Sequence, residues 1–505
     1  MAISENNKRI AKNTLFLYVR MLLIMGVNLY TVRAVLNLLG VVDYGIYNVV
    51  GGVVTLFSFI SGTLTTSSQR YFSIELAREN IKALQKIFCL NVTVFAIIIL
   101  GIIILAETVG LWFVNVQMTI PENRLLAANI VYQFSILAFG FQMFSIPYNA
   151  LIVAHEKMGA FAYIGIIEVI LKLVVVFTLT ITGSDKLILY GILMSLMALL
   201  ITNIYRVYCR THFVESKFFF YWNRTEATEL MSFSGWHFLG TMAVVVRGQG
   251  INLLINLFFN PAINAARAIA FQIDAAVGQL SNNFFVAVKP QIYKYYSKGE
   301  LVELHNLILR STIMCFFLVS LLVFPVIFNT SFILHIWLKN VPDYCIIFTQ
   351  LVLVNSLIDS TSGPTIAPAL ATGRIKKYEL IIAFLIGLNL PISYLLLKFG
   401  EKPEITVVVS IVLSVITALS RAFLLKNMIK MPVRNYFKLF TKLILVSLIS
   451  FSILQYVFID MEDSWFKLIV MSFFSTLLLL LIYYFIIIDS IDRERIINFI
   501  KTKIN

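Results

Sequence analysis

The chain reads as an all-α polytopic membrane protein. Three observations carry that reading: apolar side chains dominate, charge is scarce, and runs of about twenty apolar residues recur from end to end. Of 505 residues, 59% are hydrophobic and only 13% charged, and the mean hydropathy is +0.88. Soluble domains average roughly 45–50% apolar and 25% charged residues, so a water-soluble fold has no way to hide this much apolar surface. A cytosolic enzyme, a secreted disulfide scaffold and a disordered regulator are excluded on the same ground. Stretches such as Ala96–Leu105 and Leu477–Ile488 are continuously apolar, whereas the strands of a membrane barrel alternate.

Taken in order, the spans fall near 13–38, 45–68, 88–106, 125–153, 161–182, 187–205, 229–258, 263–287, 311–334, 344–372, 380–397, 405–425, 443–459 and 468–488. That is about fourteen transmembrane helices with short connections, leaving no room for a soluble domain. The polar first twelve residues lead into a full-length run, so the first span reads as uncleaved rather than as a signal peptide. Cys89, Cys209, Cys315 and Cys345 are scattered, and the five histidines lack ligand spacing, so no disulfide framework, metal or other cofactor is indicated.

Lysine and arginine fix the orientation. With the N-terminus cytoplasmic, 28 basic residues fall on the cytoplasmic side and six on the other: Arg124, Lys186, Lys339, Lys398, Lys402 and Lys467. Both termini are therefore expected in the cytoplasm. The formal charge of +14 is mostly this orientation signal, with basic loops against anionic lipid headgroups; nucleic acid is not an expected partner.

The chain also repeats itself. Pro147, Ala150 and Ala154 match Pro364, Ala367 and Ala371 at a constant offset of 217, and Lys157 meets Arg374. Arg70-Tyr71-Phe72-Ser73 echoes Lys294-Tyr295-Tyr296-Ser297 at an offset of 224. Both of these latter segments lead into basic amphipathic stretches, 74–87 and 299–310, expected along the membrane surface. Six spans separate the related elements, which implies two six-helix lobes related by a pseudo-two-fold along the membrane normal, plus two C-terminal helices. The expected division is 1–210 for the first lobe, 211–228 for a cytoplasmic connection, 229–427 for the second lobe and 428–505 for helices 13–14 and the tail.

A charge at bilayer depth costs roughly 2.5–3.5 kcal/mol, so each needs a partner or a water-filled cavity. The spans contain Arg20, Arg33, Glu168, Lys172, Arg247, Arg267, Asp274, Asp359 and Arg421, six cations against three anions. Glu168 and Lys172 stand at i, i+4 and form either a structural pair or cavity charges. Arg33, Arg267 and Arg421 lie close enough to span ends to snorkel. Arg20 lies two turns inside its span. Arg247 has no carboxylate within a turn and sits in the run Arg-Gly-Gln-Gly, where glycines loosen the helix. Asp274 is placed to pair with either of these arginines. Asp359, one turn after Asn355 among Ser356, Ser360, Thr361 and Ser362, either coordinates a coupling proton or sodium ion or marks a kink satisfied by its own hydroxyls. A cavity with surplus guanidinium suits a phosphate or diphosphate, which arginine grips with paired hydrogen bonds.

The junction Leu38-Leu39-Gly40-Val41-Val42-Asp43-Tyr44-Gly45-Ile46-Tyr47 resembles the LG-x-x-(D/E)-(Y/F)-G-x-Y junction of bacterial polysaccharide flippases. That family handles O-antigen and other lipid-linked oligosaccharides and belongs to the multidrug/oligosaccharidyl-lipid/polysaccharide superfamily. Gln69-Arg70-Tyr71 and the Ala154–Lys157 turn resemble it too, and the likeness spans the chain. It implies alternating-access translocation of undecaprenyl-diphosphate-linked glycan across the bacterial inner membrane, with glycan polymerase and glycosyltransferases as partners. Arg20, Arg247 and Arg267 would then face the central cavity, with Arg33 also available. Asn28, Asn252 and Asn256 would meet glycan hydroxyls.

The alternative is a multidrug and toxin extrusion antiporter of the same superfamily. Organic-cation export needs carboxylates, and spans 1–4 hold none at clear depth while span 1 carries two arginines. A non-transporting scaffold gains nothing from unpaired intramembrane arginine. No Gly-Lys dipeptide, HExxH or nucleophile elbow occurs, which excludes a phosphate-cradling ATPase loop and gives no sign of an enzyme. In a background lacking the native cysteines, Val42→Cys is expected to label from outside the cell and Asn80→Cys only from the cytoplasm. The opposite pattern inverts the topology.

Overall fold

A computed structural model describes residues 2–55, 58–118, 120–183, 185–259, 261–338, 340–487 and 493. Among the described residues there is no strand. Seventeen helices follow one another: α1 (Ala2–Thr55), α2 (Ser58–Ala77), α3 (Ile81–Leu105), α4 (Leu125–Ala154), α5 (Met158–Ile181), α6 (Lys186–His212), α7 (Arg224–Phe258), α8 (Pro261–Lys298) and α9 (Leu301–Phe328), then α10 (Thr330–Leu338), α11 (Cys345–Asp359), α12 (Ser362–Ala371), α13 (Lys376–Gly387), α14 (Asn389–Lys398), α15 (Ile405–Ile429), α16 (Val433–Phe458) and α17 (Trp465–Ile482).

Among the described residues, twelve helical segments are long and apolar enough to cross a membrane, two fewer than the fourteen expected. The missing two are the second and eighth spans. Span 8, helical as α8, carries too many polar residues to meet a length-and-apolarity test, whereas span 2, at the end of α1 with α2, includes positions 56 and 57, which lie outside the described residues. Several spans are also interrupted. Span 10 breaks between α11 and α12, where Ser360, Thr361 and Thr365 hydroxyls donate to the carbonyls of Leu357, Ile358 and Ser362 at 2.6, 2.8 and 2.8 Å. Span 11 breaks between α13 and α14, where fully buried Asn389 donates to Ser410 at 2.9 Å.

Contacts divide the chain into two compact units, Met1–Phe238 with Tyr293–Lys298, and Leu239–Ile292 with Gly299–Asn505. In the first unit, Phe72, Phe88, Tyr148, Leu151, Ile201 and Tyr205 belong to one buried cluster, with Phe88 edge-on to Tyr148 at 5.3 Å. A second cluster unites Val50, Val131, Tyr132 and Leu187. Small residues let the helices approach: a Cβ on Gly191 would stand 3.2 Å from the Val131 side chain. In the second unit, Leu443, Val446 and Leu454 of α16 and Met471 and Leu479 of α17 share a core with Phe316, Val319, Val323 and Leu353. The last two helices are thus built into that unit's interior. Outward-facing Ile181, Leu126 and Phe473 are 85%, 74% and 73% exposed, a surface suited to lipid rather than water.

Helix ends carry the repeat further than the sequence echo does. The ends of α4 and α12 (Ala154 and Ala371), of α5 and α14 (Ile181 and Lys398), and of α6 and α15 (His212 and Ile429) are each 217 residues apart. Glu156 (φ 59°) and Gly373 (φ 73°), also separated by 217, both turn the chain through the left-handed region. The other echo is out of step. α2 and α8 are followed by Glu79 (φ 57°) and Gly299 (φ 73°), 220 apart, whereas the Arg70 and Lys294 motifs are 224 apart. A slip of four residues is about one helical turn and keeps the same face. The stretches 74–87 and 299–310 are not surface helices: each is a helix end, a tight turn and the start of the next span.

One backbone feature shapes the start of the chain. α1 bends at Gly40, whose φ of 79° and ψ of 167° lie in a region essentially closed to residues with a Cβ. Gly40→Ala is expected to destabilise the protein by about 1–3 kcal/mol, read as a lowered thermal midpoint of the purified protein. Gly45→Ala, with nothing within 4 Å of the new Cβ, is expected to leave the midpoint unchanged or raised.

Candidate functional site

In the first unit, Arg20 is half-buried about 10 Å along α1 from Asn13, at 1.5 Å per residue. Asn13 itself donates to the Glu156 carbonyl at 3.2 Å. The Arg20 guanidinium lies over the Phe161 ring at 4.1 Å, and its buried Nε has no hydrogen-bond partner among the described residues. It fits there only because α5 offers Gly165: a Cβ at that position would come within 2.2 Å of Arg20 Nε. Glu168 and Lys172 form their pair at 3.5 Å. Tyr205 links the two sets, since Arg20 and Glu168 both act on it electrostatically and Asn149 reaches its hydroxyl. The structure therefore brings together Arg20, Glu168, Lys172 and Tyr205. Asn28, half-buried, and Arg33, exposed, lie further along α1. The polar residues Asn149 and Tyr205 of spans 4 and 6 were the missed members; tyrosine reads as apolar in a hydropathy count.

In the second unit, α7 and α8 bring a cationic group together. Arg267 is 6% exposed, donates to Asn252 Oδ1 and lies over Phe271 at 4.4 Å. Arg247, half-buried, acts electrostatically on both Arg267 and Asp274. Asp274 accepts a hydrogen bond from Ser356 rather than from an arginine, and feels the charge of Asp359. Asp359, exposed, accepts from Asn355 at 2.8 Å. Asn252 also donates to Gln249 at 3.3 Å, and Asn256 is exposed.

Two expectations of snorkelling fail. Arg267 and Arg421 are 6% and 7% exposed, so both heads stay inside the protein, Arg421 with Nε and one terminal nitrogen unpartnered among the described residues. A further charge was missed. Glu379, read as a loop residue, is 4% exposed, and its carboxylate fills the place of a Gly240 Cβ, 1.9 Å away from where that atom would be. Each unit thus seats one charged side chain over a glycine, Arg20 of α1 over Gly165 of α5 and Glu379 of α13 over Gly240 of α7. Nothing in composition marks such a notch, because the glycine and the charge are far apart in sequence.

The junction motif proves to be a clasp. Arg124 pairs with Asp43 and reaches Asp185 at 2.5 Å, while Asp185 caps α6 through the Leu187 N–H at 3.0 Å. The Arg124 hydrogen bond holds the Asp185 carboxyl below its ordinary value, so this support persists above the usual carboxylate range and is lost only as pH falls below it. At the other end of the unit, Glu156 meets Lys294 at 2.6 Å and His155 meets Glu215 at 2.5 Å. The connection 213–223 is strapped down there: the Lys217 carbonyl accepts from Gln85 at 2.9 Å.

Residues 10–296 match the family described as "Polysaccharide biosynthesis protein". No curated protein matches the chain. Among solved structures, the chain resembles a multidrug resistance MATE family transporter of the MOP superfamily in an outward-facing conformation, at TM-score 0.71 and 12% identity over 84% of this chain and 96% of that one. It also resembles the MATE transporter ClbM in complex with Rb+, at 0.68 and 15% over 82% and 94%. The Vibrio cholerae MATE transporter VcmN in its bent form gives 0.67 and 14% over 85% and 98%. At these identities the likeness is one of fold.

The glycine notch is open to test by thermal unfolding. Gly165→Ala is expected to evict the Arg20 guanidinium from Phe161 and lower the midpoint. Gly101→Ala, with nothing within 4 Å of the new Cβ, is expected to leave it unchanged or raised by the gain in helix propensity.

Proposed function

The chain belongs to the polysaccharide biosynthesis protein family, and from that premise we propose that it flips undecaprenyl-diphosphate-linked oligosaccharide units across the bacterial inner membrane by alternating access. The observation that carries this reading is the surplus of guanidinium inside the spans. Arg20 keeps an unpartnered Nε, and Arg247 and Arg267 act on one another with Asp274 as the carboxylate that feels Arg247. Guanidinium binds diphosphate oxygens with paired, charge-assisted hydrogen bonds. A few such groups hold a diphosphate moderately, which permits release on the far side. Asn28, Asn252 and Asn256 would meet glycan hydroxyls while the polyprenyl tail stays in lipid. Rocking between two states moves the headgroup. Both termini lie in the cytoplasm on this reading, and glycosyltransferases and a glycan polymerase supply and consume the unit.

A second reading, cation-coupled drug export, is favoured by one observation: Asp274 and Asp359 act on one another electrostatically, as carboxylates that share a cation would. On the first reading the same pair serves ion coupling, with Glu168 and Lys172 as a neutral internal pair.

Arg20→Ala and Arg247→Ala are each expected to abolish surface glycan in a complementation assay at unchanged protein level, with lysine rescuing in part. Normal glycan from both alanine variants removes the flippase reading. Resistance to cationic dyes conferred by the wild type and lost in Asp274→Asn supports the exporter instead.

A further inference from the structure

The connection between the sixth and seventh spans carries a feature that neither the arginine group nor the junction clasp uses. Positions 217–222 read Lys-Phe-Phe-Phe-Tyr-Trp, an unbroken aromatic run between α6, which ends at His212, and α7, which starts at Arg224. Residues 217–223 form neither helix nor strand. Phe218, Phe219, Phe220 and Trp222 are all exposed, Phe220 to 77%. A contiguous patch of this kind is not left to water; it marks a surface that meets something apolar.

The height of the segment follows from what holds it. The Phe219 N–H donates to Cys89 Sγ at 3.4 Å, and the Lys217 carbonyl accepts from Gln85 at 2.9 Å. Tyr221 packs on the cluster of Leu90, Val94 and Leu230. Cys89 and Leu90 stand at the start of the apolar run 88–106 of α3. The connection therefore lies level with the edge of the hydrocarbon layer instead of standing clear of it. Its two sides also differ. The rings of Phe219 and Tyr221 meet edge-on at 6.1 Å, the Tyr221 hydroxyl donates to Glu226 at 3.2 Å, and the Lys86 ammonium is 5.6 Å from the Tyr221 ring. That side is taken up by the protein. Phe220, between them, is on the other, and alternation along an extended run puts Phe218 and Trp222 with it.

We propose that Phe218, Phe220 and Trp222 anchor this connection in the adjacent membrane leaflet, at the boundary between headgroups and acyl chains. Aromatic rings favour that depth, and Lys217 and Arg224, exposed at the two ends, reach lipid phosphates from it. The backbone fits the same depth, because a segment outside helix and strand has N–H and C=O groups that the hydrocarbon centre would leave unsatisfied. A soluble partner would need the rings clear of lipid, which their seat beside Cys89 and Leu90 opposes. Asn223 follows at once and caps α7 through the Thr225 and Glu226 N–H groups at 2.9 and 3.3 Å, so the anchor fixes the level at which α7 begins. It uses no residue assigned to the transported substrate.

The test places Phe218→Cys, Phe220→Cys and Trp222→Cys singly in the full-length protein, with the four native cysteines kept because each is buried. Glu300→Cys, exposed at the turn before α9, carries the same environment-sensitive fluorophore and controls for the label's own affinity for lipid. The labelled proteins are set in nanodiscs of phosphatidylethanolamine and phosphatidylglycerol. Quenching is read with iodide in the water and with phosphatidylcholine bearing a nitroxide either near the headgroup or near the chain end. The three connection probes are expected to emit at shorter wavelength than the reference and to resist iodide. Insertion by about 5–10 Å should make the shallow nitroxide the better quencher by about twofold or more. Iodide quenching of the Phe220→Cys probe equal to that of the reference, with no effect of either nitroxide, overturns the proposal and leaves the rings to a soluble partner. Stronger quenching by the deep nitroxide overturns it as well, since the segment would then lie within the hydrocarbon.

Discussion

Inside a hydrocarbon layer no water is at hand to solvate a charge, and the arrangement of this protein's spans follows from that deficiency. A guanidinium or carboxylate at depth must rest against something built for it. Arg20 rests on a phenyl face beside a missing Cβ. Arg267 lies over Phe271 with an asparagine oxygen on its hydrogens. Glu379 fills the space above Gly240. In each case an aromatic face, an amide or an absent side chain takes the place of the hydration shell, and the two arginines make no ion pair among the described residues. That combination holds both guanidinium groups in place without one.

The clasp of Asp43, Arg124 and Asp185 gives the Leu38–Tyr47 motif a physical role. Gly40 turns the chain, and Asp43, three residues on, meets Arg124 at the approach to α4. Asp185 ties the same arginine to the start of α6. The motif that most resembles the flippase family is thus a structural corner, away from the arginines that would touch substrate. A match in such a corner speaks for shared architecture, which accords with similarity to transporters of 10–15% identity at TM-scores near 0.7.

Much of the architecture was legible because it depends on summed apolarity. Helical spans, their order and the offset of 217 all follow from composition and short echoes. Span 8 was legible as a helix although it is polar, since its neighbours framed it. What failed depended on partners distant in sequence. Arg267 and Arg421 sit near span ends, so snorkelling is the natural reading, but the folded chain closes over both. Glu379 reads as a loop residue beside Lys376 and Lys377, and only the approach of α7 shows it buried. The pairing of Asp274 with Ser356 instead of an arginine likewise depends on how α8 meets α11. Local spacing was a sufficient guide for Glu168 and Lys172, as for Asn355 and Asp359, since each pair lies on one helix face and needs no third element.

The constant spacing of helix ends in the last three spans of each half bears on how the gene for this protein can change. One inserted residue rotates everything beyond it by about 100° and advances it by 1.5 Å, so an insertion within any of these spans would turn a lipid-facing stripe inward. Loops usually absorb such changes, yet here even the connections after Ala154 and Ala371 hold a left-handed residue at the same step. The common offset at these three ends is what divergence without net gain or loss of residues between them would leave. The slip of about one turn between the echo and the bends after α2 and α8 marks the place where length was negotiable. Grafting or deletion experiments that respect whole turns should be tolerated there and nowhere between α4 and α6.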